Sequence, residues 1–353
     1  MHQYGTSPVS HRGDSDPPGH AQGTDMNTSA QTQDKAIAKR ITAAPDRPHV
    51  IYRRMGDRYL LVEYGDIVMD VNLRVRIYSL QKALREEAIA GIEETNPGVR
   101  SLLIKYDSRK IGHADILKEL ERIEYILPHE DTVEIQSRVV RLPMAFNDRW
   151  CRDAVKRYSE TVRETAPYVP DNVDFVRRCN GLSTIDQVGD YLARSEILVI
   201  GLGDVYLGAP CAIPLDPRYR LCAPKYNPAR TYTPEGAVGI GGACICIYPM
   251  ESPGGYQLVG RTLPIWNTRQ KGSCFAEAPW LLRNFDRIAF EYVTEDKLEA
   301  IRERFLEGDY SLSITDGVFK IREYNQFTRS VQGEIDAFRK QQDEAIASAM
   351  VGY

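Results

Sequence analysis

The sequence predicts an α+β protein: a small α/β domain of ferredoxin-like type followed by a compact β-barrel, behind a disordered N-terminal tail. Three observations predict it. Over residues 48–132, short apolar strands alternate with apolar residues at helical spacing. The 64 residues from Gly201 to Pro264 hold 10 of the 26 glycines and 9 of the 20 prolines, the density of tight turns between short strands. Residues 1–47 are rich in Gly, Ser, Thr, Asp, Gln and Pro, with too little apolar surface to offset the cost of ordering a backbone.

The elements follow in order. Tyr59-Leu60-Leu61-Val62-Glu63-Tyr64 reads as a strand ended by Gly65-Asp66. Leu73, Ile77, Leu80 and Leu84 place one apolar stripe on a helix. Asn96-Pro97-Gly98 reads as a turn, residues 99–106 as a strand, and Ile116, Leu120, Ile123 and Leu127 as a second helical stripe. Residues 133–146 form the next strand, with helices over about 148–164, 171–179 and 184–196, then a brief strand at Leu198-Val199-Ile200. After the barrel, helix returns over 294–306, a strand closes over 318–321, and an amphipathic helix runs over about 328–350. The expected division is 1–47, 48–132, 133–327 and 328–353.

Composition excludes several function classes. With 45 Lys+Arg against 49 Asp+Glu, the net charge is -4, so no broad basic face is expected for nucleic acid or anionic lipid. No run approaches the roughly 20 apolar residues of a membrane span. The polar N-terminus has no apolar segment of a secretory signal. Seven scattered cysteines fit the reduced thiols of a cytoplasmic protein.

Familiar chemistries are excluded too. Leu198-Val199-Ile200-Gly201-Leu202-Gly203 opens like a dinucleotide fingerprint, but Tyr206 stands where the third glycine belongs. Pro210 and Pro214 forbid the helix that would hold a pyrophosphate. No histidine lies beyond His129, which leaves the glycine-rich segment without a Ser-His couple, a Cys-His couple or a histidine-ligated metal. Cys244 and Cys246 share one face of a strand and, lacking a C-x-x-C companion, read as core packing; no metal site is expected. What remains are glycine turns, 239–242 and 252–255, that let backbone N–H groups approach a ligand. Beside them stand Asp204, Lys225, Tyr226, Asn227, Arg230, Glu251, Tyr256 and Arg261. On spacing alone the same residues fit barrel corners and rim ion pairs, and that plain reading is the favoured one.

Five motifs in fixed order add a resemblance. They are Gly-Leu-Gly-Asp-Val-Tyr-Leu-Gly-Ala-Pro (201–210), Pro-Leu-Asp-Pro-Arg (214–218), Lys-Tyr-Asn-Pro-Ala-Arg-Thr (225–231), Thr-Pro-Glu-Gly-Ala-Val-Gly-Ile-Gly-Gly (233–242) and Ser-Pro-Gly-Gly-Tyr-Gln-Leu-Val-Gly-Arg-Thr (252–262). Together they resemble the carboxyltransferase domain of biotin-dependent urea and guanidine carboxylases, in its C-terminal, allophanate hydrolase subunit 1-like half. That half is related to the B component of bacterial 5-oxoprolinase and to a sporulation kinase inhibitor. Those branches have a Gly-Phe-x-Pro-Gly-Phe stretch where this chain has residues 201–206, and they lack the 225–231 block. The segment Tyr248-Pro249-Met250-Glu251-Ser252-Pro253 is nearer the oxoprolinase pattern.

The resemblance implies a cyclophilin-like barrel and a carboxyltransferase subunit moving CO2 from carboxybiotin to an amide or amidine nitrogen. Urea carboxylases carry biotin on a lysine in Ala-Met-Lys-Met; this chain ends Ala349-Met350-Val351-Gly352-Tyr353. The expectation is therefore carboxybiotin carried on a partner, none bound covalently here. The implied partners are a subunit 2-like carboxyltransferase half, biotin carboxylase and biotin carrier subunits, and a small-molecule substrate. Within that reading Asp204 or Glu251 holds the substrate N–H groups, and Lys225 or Arg261 polarises the ureido or carboxybiotin oxygen. Gly241, Gly242, Gly254 and Gly255 offer N–H groups, while Tyr206, Tyr226, Asn227, Arg230 and Tyr256 shape the pocket. The alternatives are a component of an ATP-dependent 5-oxoprolinase and, less favoured, a kinase-inhibitor-like regulator.

Overall fold

Alternating burial builds the first sheet. The computed structural model describes residues 35–203 and 206–350. Its first part runs β1 (Ile37–Ile41), β2 (Val50–Arg54), β3 (Tyr59–Tyr64), α1 (Val71–Glu87), β4 (Ile92–Pro97), β5 (Ser101–Tyr106) and α2 (His113–Ile126). The five strands form an antiparallel sheet in the order β1-β2-β3-β5-β4. Leu60, Val62 and Tyr64 of β3 and Leu102, Ile104 and Tyr106 of β5 point to one face, where they meet Leu73, Ile77, Leu80 and Leu84 of α1 and Ile116, Leu120 and Ile123 of α2. Asp70 caps α1 by accepting from the Asn72 N–H at 2.7 Å.

The sheet expected to hold two strands holds five, and two local differences lie here. Residues 36–47 were expected in the disordered tail, yet Ile37–Ile41 pairs with β2 and buries Ile41; residues 1–34 of that tail lie outside the described residues. A short strand gains its stability from a neighbour already in place, which local composition does not register. The turn expected at 96–98 begins later, because Asn96 and Pro97 still pair with Leu103 and Leu102. β4 is an edge strand, where proline's missing N–H costs no ladder bond.

The second part runs β6 (Glu134–Phe146), α3 (Arg149–Thr161), α4 (Asn172–Cys179), α5 (Ile185–Ala193), β7 (Ile197–Leu202), β8 (Pro210–Pro214), β9 (Ala237–Gly241), β10 (Cys244–Ile247), β11 (Gln257–Arg261), β12 (Arg287–Tyr292), α6 (Glu295–Glu307), β13 (Ile314–Lys320), α7 (Ile321–Ser330) and α8 (Gln332–Ala349). The strand order is β11-β9-β10-β8-β7-β12-β6-β13, with β12 parallel to β6 and the other neighbours antiparallel. β11 also pairs with β6, through Gly260 opposite Phe146 and Arg261 opposite Ala145. The single terminal helix expected over 328–350 is two helices, broken at Val331 (φ -115°, ψ 17°), and residue 328 falls inside α7. Among the described residues no helix is long and apolar enough to cross a membrane.

Both faces of these strands are covered. Ile197 and Val199 of β7 face a core shared with α4, α5, α6 and α8, whereas Leu198 and Ile200 face a second cluster with Ile213, Phe285, Phe319 and Val71 and Val75 of α1. A buried arginine bridges the two sheets. Arg74 of α1 donates from Nε to the Ile200 carbonyl at 2.5 Å and lies over the Phe285 ring at 4.7 Å. Burial pushes its guanidinium down to about 10.

Two sites predict large effects. Glu124 of α2 accepts from Arg76 at 2.6 Å and from the Tyr64 hydroxyl, all three side chains buried. Glu124→Ala leaves the buried Arg76 with Glu130, at 3.2 Å, as its remaining carboxylate and deprives the Tyr64 hydroxyl of its acceptor, and is expected to cost about 1–3 kcal/mol in denaturant melts; Glu124→Gln, which keeps an acceptor, should cost less. A Cβ on Gly260 would meet Met144 Cε and the Ala145 carbonyl at 2.6 Å. Gly260→Ala is expected to lose about 1–3 kcal/mol from the strain of separating β11 from β6; unchanged stability would mean that this crossing is loose.

Candidate functional site

Glycine backbones carrying tyrosine rings build the site. A Cβ on Gly254 would meet the Tyr248 ring, with Cζ 2.7 Å away; one on Gly241 would meet Tyr256 Cγ at 2.7 Å, and one on Gly239 the Tyr256 Cβ at 2.8 Å. Only glycine lets the two rings lie flat on β9 and on the 252–255 turn. Arg230 and Gly254 exchange both backbone hydrogen bonds, at 2.8 and 3.0 Å, which clips the turn to the 225–231 segment. Beneath the clip the Arg230 side chain, 1% exposed, donates to the Tyr256 carbonyl at 2.6 Å and to Thr233 Oγ1 at 3.2 Å and lies over the Tyr226 ring.

These contacts leave a cavity of about 70 Å³ walled by Tyr206, Ala209, Pro210, Cys211, Cys246, Tyr248, Pro253, Gly254, Gly255 and Tyr256. It holds about two waters' worth of liquid at ~30 Å³ each, hence a ligand of a few heavy atoms. Tyr206 closes one side by donating to the Pro253 carbonyl at 2.8 Å. The 206–209 loop rests on the stacked Trp266 and Trp280, against which a Cβ on Gly208 (φ +76°) would lie at 3.0 and 3.1 Å. At the rim the exposed Lys225 holds its ammonium 5.0 Å over the Tyr256 ring. Burial pushes the Tyr248 phenol up, so it enters the wall as a neutral hydroxyl.

Of the residues expected at the site, Tyr206, Gly254, Gly255 and Tyr256 line this cavity and Lys225 stands beside it. Asp204 lies outside the described residues. The others lie elsewhere. Tyr226 is core: its hydroxyl accepts from Asn172 at 2.6 Å, its ring stacks on Tyr168, and burial raises its phenol. Asn227 is exposed, and its carbonyl accepts from Arg163 and Tyr168. Arg230 braces the turn from below. The Gly242 N–H donates to the Ala223 carbonyl and the Gly254 N–H to the Arg230 carbonyl, so neither is available to a ligand as expected. Gly241 packs under Tyr256. Glu251 turns outward to the Tyr232 hydroxyl at 3.3 Å, and Arg261 donates to the Glu235 carbonyl and stacks over Trp150 at 4.7 Å.

Sequence reasoning missed Tyr248, Cys211 and Cys246 as wall residues. The signal was present for two: Cys244, Cys246 and Tyr248 share a period of two along β10 and its continuation, the same alternation that placed the two thiols on one face. A larger groove of about 690 Å³ runs between α1 and the α2–β6 connection, lined by residues such as Tyr78, Lys82, Glu86, Ile126 and Glu134. Its charged residues, Lys82, Glu86, Glu87 and Glu134, are exposed to solvent. Among the described residues no group of His, Cys, Asp or Glu could hold a metal.

A family model described as carboxyltransferase domain, subdomain C and D, matches residues 50–276. The urea amidolyase of Saccharomyces cerevisiae is 45% identical over 298 residues, covering 84% of this chain and 16% of that protein. The B component of the 5-oxoprolinase of Bacillus subtilis is 24% identical over 265 residues, covering 71% of this chain and 95% of that protein. The crystal structure of the Kluyveromyces lactis urea carboxylase matches with a TM-score of 0.81 at 40% identity, covering 90% of this chain and 29% of that one. The chain thus spans 16% of the yeast amidolyase's length and 29% of the urea carboxylase's.

The nested rings yield a test. Gly254→Ala is expected to displace Tyr248 and lower stability by about 1–3 kcal/mol, with a changed near-ultraviolet circular dichroism spectrum from the tyrosines. A wild-type spectrum and melting point would show that the ring does not rest on this backbone.

Proposed function

We propose, for a chain that belongs to the carboxyltransferase-domain family of subdomains C and D, that it is the subunit 1-like half of a biotin-dependent carboxyltransferase acting on urea, guanidine or a similar small amide or amidine. The observation that carries this reading is the 70 Å³ cavity formed by the motifs at 201–210 and 252–256, a volume suited to a substrate of a few heavy atoms. The fused rings of biotin exceed that volume, and two of the four glycine N–H groups expected to be offered to a ligand, those of Gly242 and Gly254, are bound within the chain. The described residues therefore fit the nitrogen substrate and do not by themselves fit the cofactor, which we assign to a carrier partner and a companion half in a cytoplasmic hetero-oligomer. We read the circuit of β6, β12, β7, β8, β10, β9 and β11 as the cyclophilin-like barrel. The β3-α1-β4-β5-α2 run is read as ferredoxin-like, with β2 filling the place of a last strand.

On this reading the chain's work is positioning and electrostatics. Tyr206, Tyr248 and Tyr256 exclude water and hold a planar amide. From the rim, Lys225 would polarise the oxygen of a ureido substrate or of carboxybiotin brought by the carrier. Asp204, between Gly203 and Tyr206 in sequence, accepts the substrate N–H groups; Glu251 and Arg261 act at the surface toward the companion half.

The test is reconstitution with a companion half, a biotin carboxylase and a biotinylated carrier. ATP-dependent incorporation of labelled bicarbonate into urea or guanidine is expected, abolished by avidin and lowered about 10²-fold by Lys225→Ala. The second reading is favoured by the 95% coverage of a free-standing 5-oxoprolinase component. ATP hydrolysis driven by 5-oxoproline and indifferent to avidin would replace the first reading with it.

A further inference from the structure

Three cysteines converge where β8 meets β10. Ile245 lies opposite Ala212, which sets Cys246 opposite Cys211 in the antiparallel register and Cys244 one diagonal step away. The Cys211 thiol turns to the diagonal neighbour and hydrogen-bonds Cys244 with an Sγ–Sγ separation of 3.2 Å. Cys246 donates instead to the Ile247 carbonyl. The two members of the close pair differ in access. Cys211 is half-buried and lines the 70 Å³ cavity, whereas Cys244 is buried and does not line it, packing in the cluster with Ile200, Ile213 and Phe285. Cys222, a further neighbour of Cys244, is held as the neutral thiol by burial, which makes it a poor nucleophile.

We propose that Cys211 and Cys244 are an oxidation site: a small hydroperoxide entering the cavity converts them to a disulfide joining β8 to β10. The electrons balance in two steps. The Cys211 sulfur attacks one peroxide oxygen; the O–O bond breaks, a water or alcohol leaves, and Cys211 becomes a sulfenic acid. The Cys244 sulfur then attacks the Cys211 sulfur, the S–O bond breaks, a water leaves and the S–S bond forms. The two thiols supply the two electrons that reduce the peroxide. Access gives Cys211 the first step, and proximity gives Cys244 the second.

The full chain treated with hydrogen peroxide, alkylated and digested, should yield a peptide linking Cys211 to Cys244, lighter by two hydrogens and split by dithiothreitol. Cys244→Ser should leave a sulfenic acid on Cys211 that dimedone traps, and Cys211→Ser should slow thiol loss from the pair about tenfold or more. Circular dichroism on each variant verifies folding, and the wild-type cross-link is read independently of either variant. The proposal is overturned if Cys211 and Cys244 stay reduced at peroxide levels that oxidise free cysteine. It is equally overturned if the cross-link joins Cys211 to Cys246 or Cys222 to Cys244, or if dimedone marks Cys244 first. None of these readouts requires carboxyl transfer, so they stand apart from the proposed function.

Discussion

The backbone crossing at Gly260 is the constraint on which the rest of the structure depends. β11 reaches β6 there with no room for a Cβ, and that contact joins the two ends of a seven-strand run. If the ends parted, β11 would lose its second neighbour, and the 252–256 turn leading into it would lose its anchor on β6. The same device recurs at smaller scale. Gly239, Gly241 and Gly254 let tyrosine rings lie against the main chain, so rigid aromatic walls replace mobile side chains around the cavity.

A site built this way is made of shape more than of charge. The buried arginines serve the scaffold: Arg74 ties α1 to the strand entering the 201–206 segment, and Arg230 holds the turn that carries Tyr256. Arg74 donates to one carbonyl and Arg230 to a carbonyl and a hydroxyl, which ties loop backbone to a buried cation. The exposed Lys225 is the cation that stands at the cavity rim. A cavity for a few heavy atoms, with little charge of its own, suits a small planar ligand.

Much of the fold was legible because periodicity reports burial directly. The stripes on α1 and α2, the strands at 59–64 and 101–106, and the helices after residue 148 all follow from which positions avoid water. β1, β2 and β4 were not legible as strands: β1 and β4 are edge strands with polar residues, and β2 is a short run ending in two arginines that is held between β1 and β3. The site divided in the same way. Tyr206, Gly254, Gly255 and Tyr256 were found because the turn chemistry of their motifs is local. Tyr226, Asn227 and Arg230 share a motif with Lys225, but only Lys225 stands at the rim, since the chain folds the other three under or away from the turn.

The sequence by itself determined the α+β class and the family, because each rests on residues near one another along the chain. Tertiary structure alone decided which face of each motif meets the cavity, which glycine N–H groups are already bound, and that Cys211 meets Cys244 across two strands. The physical reason is that orientation and hydrogen-bond partnership are fixed by contacts between distant segments, and no local pattern encodes them.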